Sequence, residues 1–240
     1  MKRMYLGIDI GGSKIRGVLW DGRRAVLAIE VATPRAKGAF AKRVVTLSAG
    51  LSRRAKSKVR GIGIGVAGRI RGTRVVSSRN ILYLRDFDFK ILPLSAPIRV
   101  DNDARAFAQA EASLGAGRRS RRMLAFTIGT GIGRAYSELG RLRSVKQFEH
   151  AEPWEPDYQR IRDTEDSRAL AVFLGEKLAR IARQYRADVV VLGGGVLGRR
   201  GFRRRLTSDL RAQGLTANVR PGILGRNAAA IGAALLFRNR

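Results

Sequence analysis

Four glycine clusters stand at the ends of apolar runs: "DIGGSK" at 9–14, "GIGIGVAG" at 61–68, "IGTGIG" at 128–133 and "LGGGV" at 192–196. Glycine lets a backbone turn with positive φ and lets amide hydrogens approach a ligand closely, which is what phosphate binding at a strand end requires. A single cluster is explained by a hairpin. Four of them, each where a strand finishes, constrain the chain to a layout in which strand ends matter more than helix faces.

The periodicity around these clusters agrees. Strand-like runs cover Tyr5 to Ile10, Ile15 to Trp20, Ala25 to Val31, Gly61 to Val66, Ile98 to Val100, Met123 to Ile128 and Val189 to Leu192. Helical spacing covers Phe40 to Lys56, an alanine-rich stretch from Asn102 stopped by Gly115, and Ser167 to Arg186. A three-strand meander followed by alternating helices and strands predicts an α/β fold of mixed sheets flanked by helices. A second unit opens near residue 123, so two similar lobes are expected. Their expected bounds are 1–103 and 104–225, with a terminal helix over 226–240 packing back on the first. The stretch from Glu149 to Asp166, with two prolines and Trp154, predicts an irregular insertion.

Composition narrows the chemistry. The 240 residues are 45% hydrophobic, enough for a large core. The apolar stretch "AAAIGAALLF" is about half of a membrane crossing and reads as a buried helix, so no membrane partner is expected. The apolar start of the chain is broken by Asp9 and lacks a small-residue cleavage site, so the expected location is the cytoplasm. There is no cysteine, which excludes disulfides, thiolate zinc sites and a thiol nucleophile, and His150 is the one histidine. Catalysis must rest on carboxylates, hydroxyls, backbone amides and cations.

A net charge of +29, from 48 Lys and Arg against 19 Asp and Glu, attracts polyanions. The runs "GRRSRR" at 117–122 and "RRGFRRR" at 199–205 nevertheless lack a stacking ladder and a reading helix. They are read as solvated loops and helix faces, and a nucleic-acid partner is not favoured.

Two nucleotide motifs are excluded. Gly63, Gly65 and Gly68 satisfy G-x-G-x-x-G, but "RIRGTRV" after them opens no helix. No glycine precedes Lys14 at the spacing a P-loop needs.

In order along the chain come "DIGGSK" at 9–14, "GIGIGVAG" at 61–68, "NDARA" at 102–106, "GTGIG" at 129–133, "LGGGV" at 192–196 and "IGAA" at 231–234. Each is weak alone. Together they resemble the ROK family of sugar kinases and related repressors, within the actin-like ATPase superfamily. The resemblance implies two actin-like (RNase H-like) lobes, each a mixed β-sheet flanked by helices, with a cleft between them. It implies an ATP-dependent hexose kinase of glucokinase type, moving the γ-phosphate of Mg-ATP to a sugar 6-hydroxyl, and a homodimer.

By the same resemblance Asp103 is the general base, and Asn80, Asn102, Glu149 and His150 face the hexose. The nucleotide falls to Gly11, Gly12, Ser13 and Lys14, to Gly129, Thr130 and Gly131, and to Gly193, Gly194 and Gly195. Asp9 holds Mg²⁺ through water. The helix start at Asp103 is expected to favour its ionised form.

The chain departs from the family pattern at one stretch. Where members carry G-E-x-G-H and then a cysteine zinc motif, it has "QFEHAEPWEP" and no cysteine, so no zinc is expected. Either His150 matches the family histidine, leaving Gln147 at the glutamate position, or Glu149 matches the glutamate, leaving Glu152 at the histidine position. Arg134 stands where many members have glycine, positioned to reach a phosphate or to face water. A repressor would need a winged helix-turn-helix ahead of Asp9, where eight residues leave no room. The remaining alternative is a non-catalytic or DNA-associated sugar-binding protein, against which the retention of Asp9, Asp103 and both hairpins argues.

Overall fold

A computed structural model describes residues 3–238. The chain divides into two compact units: one runs to Ala110 and resumes at Leu224, and the other is Glu111–Ile223. No helix among the described residues is long and apolar enough to cross a membrane.

The first unit begins with the meander β1 (Met4–Ile10), β2 (Lys14–Trp20) and β3 (Ala25–Ala32), followed by α1 (Lys37–Arg53) and β4 (Val59–Val66). A small antiparallel sheet of β5 (Arg69–Arg71), β6 (Arg74–Ser77) and β7 (Phe87–Asp88) intervenes before β8 (Ile98–Asn102) and α2 (Asp103–Leu114). The main sheet has the order β3-β2-β1-β4-β8, antiparallel across the meander and parallel from β1 through β4 to β8.

The second unit repeats this plan. It holds β9 (Arg122–Ile128), β10 (Ile132–Glu138), β11 (Arg141–Arg143), α3 (Glu155–Asp163), α4 (Ser167–Gln184), β12 (Val189–Gly193), α5 (Phe202–Ala212) and β13 (Asn218–Pro221). Its sheet order, β11-β10-β9-β12-β13, has the same alternation of antiparallel and parallel pairs. The last helix, α6 (Ala228–Leu235), packs on β1 and β4 of the first unit.

Alternation along the strands decides which face takes which helix. In β4, Ile62, Ile64 and Val66 join the core that α1 completes with Phe40, Val44, Leu47 and Leu51, spaced as one helical face. The opposite face carries Gly61, Gly63 and Gly65. A Cβ on Gly63 would strike the carbonyl oxygen of Ala233, and one on Gly7 that of Ala230. Gly232 is held equally close to the carbonyl of Ala106. The alanine-rich α6 therefore lies directly on strand backbone. The first three glycines of "GIGIGVAG" therefore make room for Phe237, α6 and α2 and not for a ligand.

Gly63→Ala is expected to destabilise the protein by about 1–3 kcal/mol, because the obstructing atoms are backbone and cannot rotate aside. In α1, Gly50 has only the far end of the Arg54 side chain within 4 Å of a new Cβ. Gly50→Ala is expected to be neutral or stabilising. Paired thermal melts of the two variants check this.

The segment expected to be irregular is ordered instead. Lys146–Glu149 forms a 3₁₀ turn, and α3 begins at Glu155 with Pro156 in its first turn, where a missing N–H costs nothing. Tyr158 anchors α3 in the core of the second unit. Asp166 caps α4, accepting from the amides of Arg168 and Ala169 at 2.9 and 3.0 Å.

Candidate active site

The first hairpin, between β1 and β2, is closed by the Gly11 amide donating to the Lys14 carbonyl at 2.9 Å. Thr33 holds it from behind. Its hydroxyl donates to the Gly11 carbonyl at 2.7 Å and its amide to the Ser13 carbonyl at 3.0 Å. In a trans peptide the next N–H points opposite to the carbonyl, so fixing the Gly11 carbonyl on Thr33 turns the Gly12 amide outward. The backbone of Asn80 passes close by: a Cβ on Gly12 would lie 3.2 Å from the Asn80 carbonyl oxygen. Gly12, Ser13 and Asn80 are exposed. Lys14 is also exposed, and its ammonium pairs with Glu30 on β3 at 2.7 Å.

Register places Asp9 opposite Arg16 on one side and Gly65 on the other, and Gly65 opposite Asp101. Because Gly65 has no side chain, the start of α2 settles on it, and a Cβ there would be 3.6 Å from the Asp103 Cα. The three polar residues at this helix start do three different things. Asp101 accepts from Arg105 Nε at 2.8 Å, one helical turn on. Asn102 is the cap: its Oδ1 accepts from the amides of Ala104 and Arg105 at 2.9 and 3.2 Å, while its Nδ2 donates to the Gly68 carbonyl at 3.0 Å. Asp103 accepts from the Ala104 amide at 2.9 Å and forms no ion pair among the described residues.

That difference shows in the electrostatics. Burial raises the Asp103 carboxyl above the ordinary carboxylate range, and the Ala104 amide only partly offsets it. The helix-start amide thus favours the ionised form, as expected, while desolvation acts against it more strongly. Asp9 is pushed up to about 7, first by burial and then by the charge of Asp103, with Arg16 pulling the other way. Arg16 is already committed to Glu30 and, at 3.1 Å, to the Asn227 side-chain oxygen. Two half-buried carboxylates short of positive charge are a donor set that suits a hard divalent cation, one taking its remaining ligands from water and phosphate.

The second hairpin, in the other unit, is built alike. The Gly129 amide donates to the Gly131 carbonyl at 3.0 Å. Its outer carbonyls are held by α3: Tyr158 Oη donates to Gly129 at 2.6 Å, and Arg162 donates to Thr130. The amides of Thr130 and Gly131 consequently face away from α3. Glu155, buried, accepts from the Ile132 amide at 3.2 Å and closes the hairpin's far side. At the end of β12, Gly194 has φ 99° and lies against the backbone of Ile128, where no other residue fits. Gly193 ends the strand, and Gly194 and Gly195 are exposed.

Arg134 neither faces water nor points to an open site. It is buried, and its guanidinium pairs with Glu152, donates to the carbonyls of His150 and Gln147, and lies 5.1 Å from the Phe148 ring. Gln147 is engaged through its side-chain oxygen by Tyr185 Oη at 2.8 Å. Both residues that the competing alignments leave in the altered positions, Gln147 and Glu152, are therefore structural. Glu149 and His150 stay exposed, without side-chain hydrogen bonds or ion pairs among the described residues. Sequence reasoning gave no signal for Thr33, Tyr158 or Arg162 behind the hairpins, because each acts across 22 to 33 residues.

A sequence model of the ROK family matches residues 5–144, more than half of the chain. A glucokinase of Streptomyces coelicolor is 29% identical over 139 residues, covering 54% of this chain and 42% of that protein. The N-acetylgalactosamine kinase AgaK of Shewanella sp. (strain ANA-3) is 32% identical over 146 residues, covering 58% and 46%. The matched region is less than half the length of these curated relatives. The inorganic polyphosphate/ATP-glucomannokinase from Arthrobacter sp. strain KM superposes with a TM-score of 0.83 at 28% identity, covering 98% of each chain. Its paired mixed sheets flanked by helices are the fold described above, and with the family match they lead to one conclusion: the chain belongs to the ROK family.

Proposed function

We propose that this chain is an ATP-dependent hexose kinase of glucokinase type. The observation that carries the reading is Asp103, a half-buried carboxylate with a raised proton affinity, left without a cation while its two neighbours are occupied. Its relatives named as glucokinase, N-acetylgalactosamine kinase and polyphosphate/ATP-glucomannokinase support the same class of reaction.

In the proposed reaction the 6-hydroxyl oxygen of the hexose forms a bond to the γ-phosphorus. The bond from that phosphorus to the β,γ-bridging oxygen breaks, and ADP leaves with the electron pair. The hydroxyl proton passes to an Asp103 oxygen, whose raised pKa makes it a better acceptor than an ordinary carboxylate. The outward amides of Gly12, Thr130 and Gly131 bind phosphate oxygens, with Ser13 and Lys14 beside them. Phosphoryl transfer depends mostly on such positioning and charge stabilisation. Gly193, Gly194 and Gly195 take the adenosine side, and Asn80, Glu149 and His150 the sugar, joined by the one Asn102 side-chain amide hydrogen that its capping and Gly68 bonds leave over. Mg²⁺, held through water by Asp9, would neutralise phosphate charge.

A coupled ADP-release assay with Mg-ATP tests the reading across glucose, mannose, fructose, N-acetylglucosamine, N-acetylmannosamine and N-acetylgalactosamine. Polyphosphate as donor forms a separate arm. Turnover of at least one sugar is expected. Sugar binding without turnover by either donor would leave the non-catalytic alternative.

Arg134 gives a further prediction. Removing it strands Glu152 and frees the 146–152 segment, so Arg134→Ala is expected to cost on the order of 3 kcal/mol. It is also expected to raise the KM for the hexose well above its effect on the KM for ATP. Arg134→Lys keeps the charge but not the planar fork and should fall between. Melting curves and paired KM measurements check both variants.

A further inference from the structure

The edge of the second unit's sheet farthest along β9 from the Gly129–Gly131 hairpin is made of three turns. They are the turn before β9, the turn from β10 to β11, and the turn from α4 to β12. Hydrogen bonds tie them together: the Leu139 amide donates to the Arg121 carbonyl at 2.7 Å, and the Asp188 amide to the Arg122 carbonyl at 2.9 Å. Through them the fold gathers Arg118, Arg119 and Arg121 with Arg141 and Arg186, which are far apart in sequence. All five are exposed.

The acids at this edge are already used. Asp188 pairs with Arg122 at 3.1 Å and Glu138 with Arg143 at 2.9 Å. The five exposed arginines make no ion pair among the described residues; Arg121 feels the charge of Asp188, whose hydrogen bonds go to Arg122. The backbone is also unusual here. Of the five non-glycine residues with positive φ, three lie in these turns: Arg119 (66°), Leu139 (49°) and Arg186 (47°). Glycine would adopt that conformation more easily, yet two of the three positions carry arginine.

The geometry points to this edge as a docking surface for the phosphate backbone of duplex nucleic acid. Five clustered cations without an ion pair, across about three strand spacings, roughly 14 Å, repel one another unless a polyanion lies along them. With a net charge of +29, from 48 Lys and Arg against 19 Asp and Glu, the chain has far fewer acids than cations. The rings beside the edge are not free for stacking: Tyr185 packs on Tyr136 at 5.5 Å and on Phe148 at 4.9 Å. The exposed large apolar side chain there is Leu139. Single-strand binding relies on stacked bases, so the surface suits backbone contact with a duplex, without sequence preference. The "GRRSRR" run thus reads differently once Arg141 and Arg186 stand beside it.

The test is fluorescence anisotropy of a labelled duplex DNA of about 20 base pairs with the whole chain, across roughly 50 to 300 mM KCl. The edge variant combines Arg118→Ser, Arg119→Gly, Arg121→Ser, Arg141→Ser and Arg186→Gly, with glycine at the two positive-φ positions to preserve the turns. The control combines Arg53→Ser, Arg54→Ser, Arg200→Ser, Arg203→Ser and Arg204→Ser, five exposed arginines elsewhere. The edge variant is expected to bind at least about tenfold more weakly, with a slope of log K against log salt shallower by about 4, as five lost phosphate contacts require. The control should keep the wild-type slope to within about 1. Should the edge variant melt early, Arg118→Ser with Arg121→Ser and Arg141→Ser replaces it, with a slope change of about 2 to 3 expected. An unchanged slope in the edge variants, an equal loss in the control, or equally tight binding of polyglutamate would overturn the proposal.

Discussion

Replacing Asp103 by Asn is expected to lower kcat by about 10²- to 10⁴-fold while leaving the nucleotide Kd within a few-fold of wild type. Asparagine keeps the size of the side chain and its acceptor for the Ala104 amide, so the helix start should survive. What it loses is the capacity to take a proton. The pH profile supplies a second, independent readout. A general base works when deprotonated, so wild-type kcat/KM should fall as the medium is acidified through the raised pKa of Asp103. That acid limb should lie above the ordinary carboxylate range and be missing from the residual activity of the variant. Full activity in Asp103→Asn would remove the base from its assigned place.

Asp9→Asn should separate stability from function in the opposite sense. The folded protein holds the Asp9 proton up to about 7, whereas the unfolded chain releases it near 3.8. The neutral acid is favoured in the fold, so this contribution is complete at low pH and is lost as pH rises through about 7. By about pH 8 the ionised, desolvated carboxylate costs on the order of 2–4 kcal/mol, which asparagine does not incur. The ligand-free variant is therefore expected to melt roughly 5–10 °C above wild type near pH 8 and level with it near pH 4. The same substitution should sharply weaken turnover and abolish any stabilisation that Mg²⁺ gives the nucleotide complex. A carboxylate retained at a cost in stability is a common mark of a working site. Equal melting temperatures at high pH would contradict the buried-charge description.

Much of this arrangement is legible in the sequence, and the reasons are local. Strand-ending glycines, a meander of period-two runs and an alanine-rich helix after Asp101-Asn102-Asp103 each follow from short-range pattern, and the structure has elements at those places. α1 spans Lys37–Arg53 where helical spacing covered Phe40 to Lys56, and α4 spans Ser167–Gln184 where it covered Ser167 to Arg186. What the pattern hid depends on distant partners. Nothing within "GIGIGVAG" reveals that Gly61, Gly63 and Gly65 admit Phe237, α6 and α2, since those lie more than 35 residues away. Nor does "IGR" around Arg134 reveal a guanidinium buried against Glu152 and the His150 carbonyl. The three acids and amides at 101–103 look equivalent in sequence. Only Arg105 one turn on, and Gly68 across the sheet edge, distinguish the paired, capping and unpaired members.

The two hairpins illustrate the same limit. Their glycines mark them, but what makes their amides face outward is the set of groups holding the carbonyls: Thr33 in the first, Tyr158 and Arg162 in the second. These are ordinary residues in ordinary strands, loops and helices. Their role emerges only when the chain is folded.

The central claim is that Asp103 deprotonates a sugar hydroxyl as it attacks ATP, and transfer of a radiolabelled γ-phosphate tests it most directly. Wild-type protein and Asp103→Asn would be incubated with labelled Mg-ATP and the hexose that the wild type turns over best, and the sugar product separated and counted. Label in the hexose 6-phosphate at a rate at least about 100-fold higher for the wild type, with both proteins binding nucleotide alike, is the expected result. Equal labelling by the two proteins, or label released only as inorganic phosphate, would contradict it.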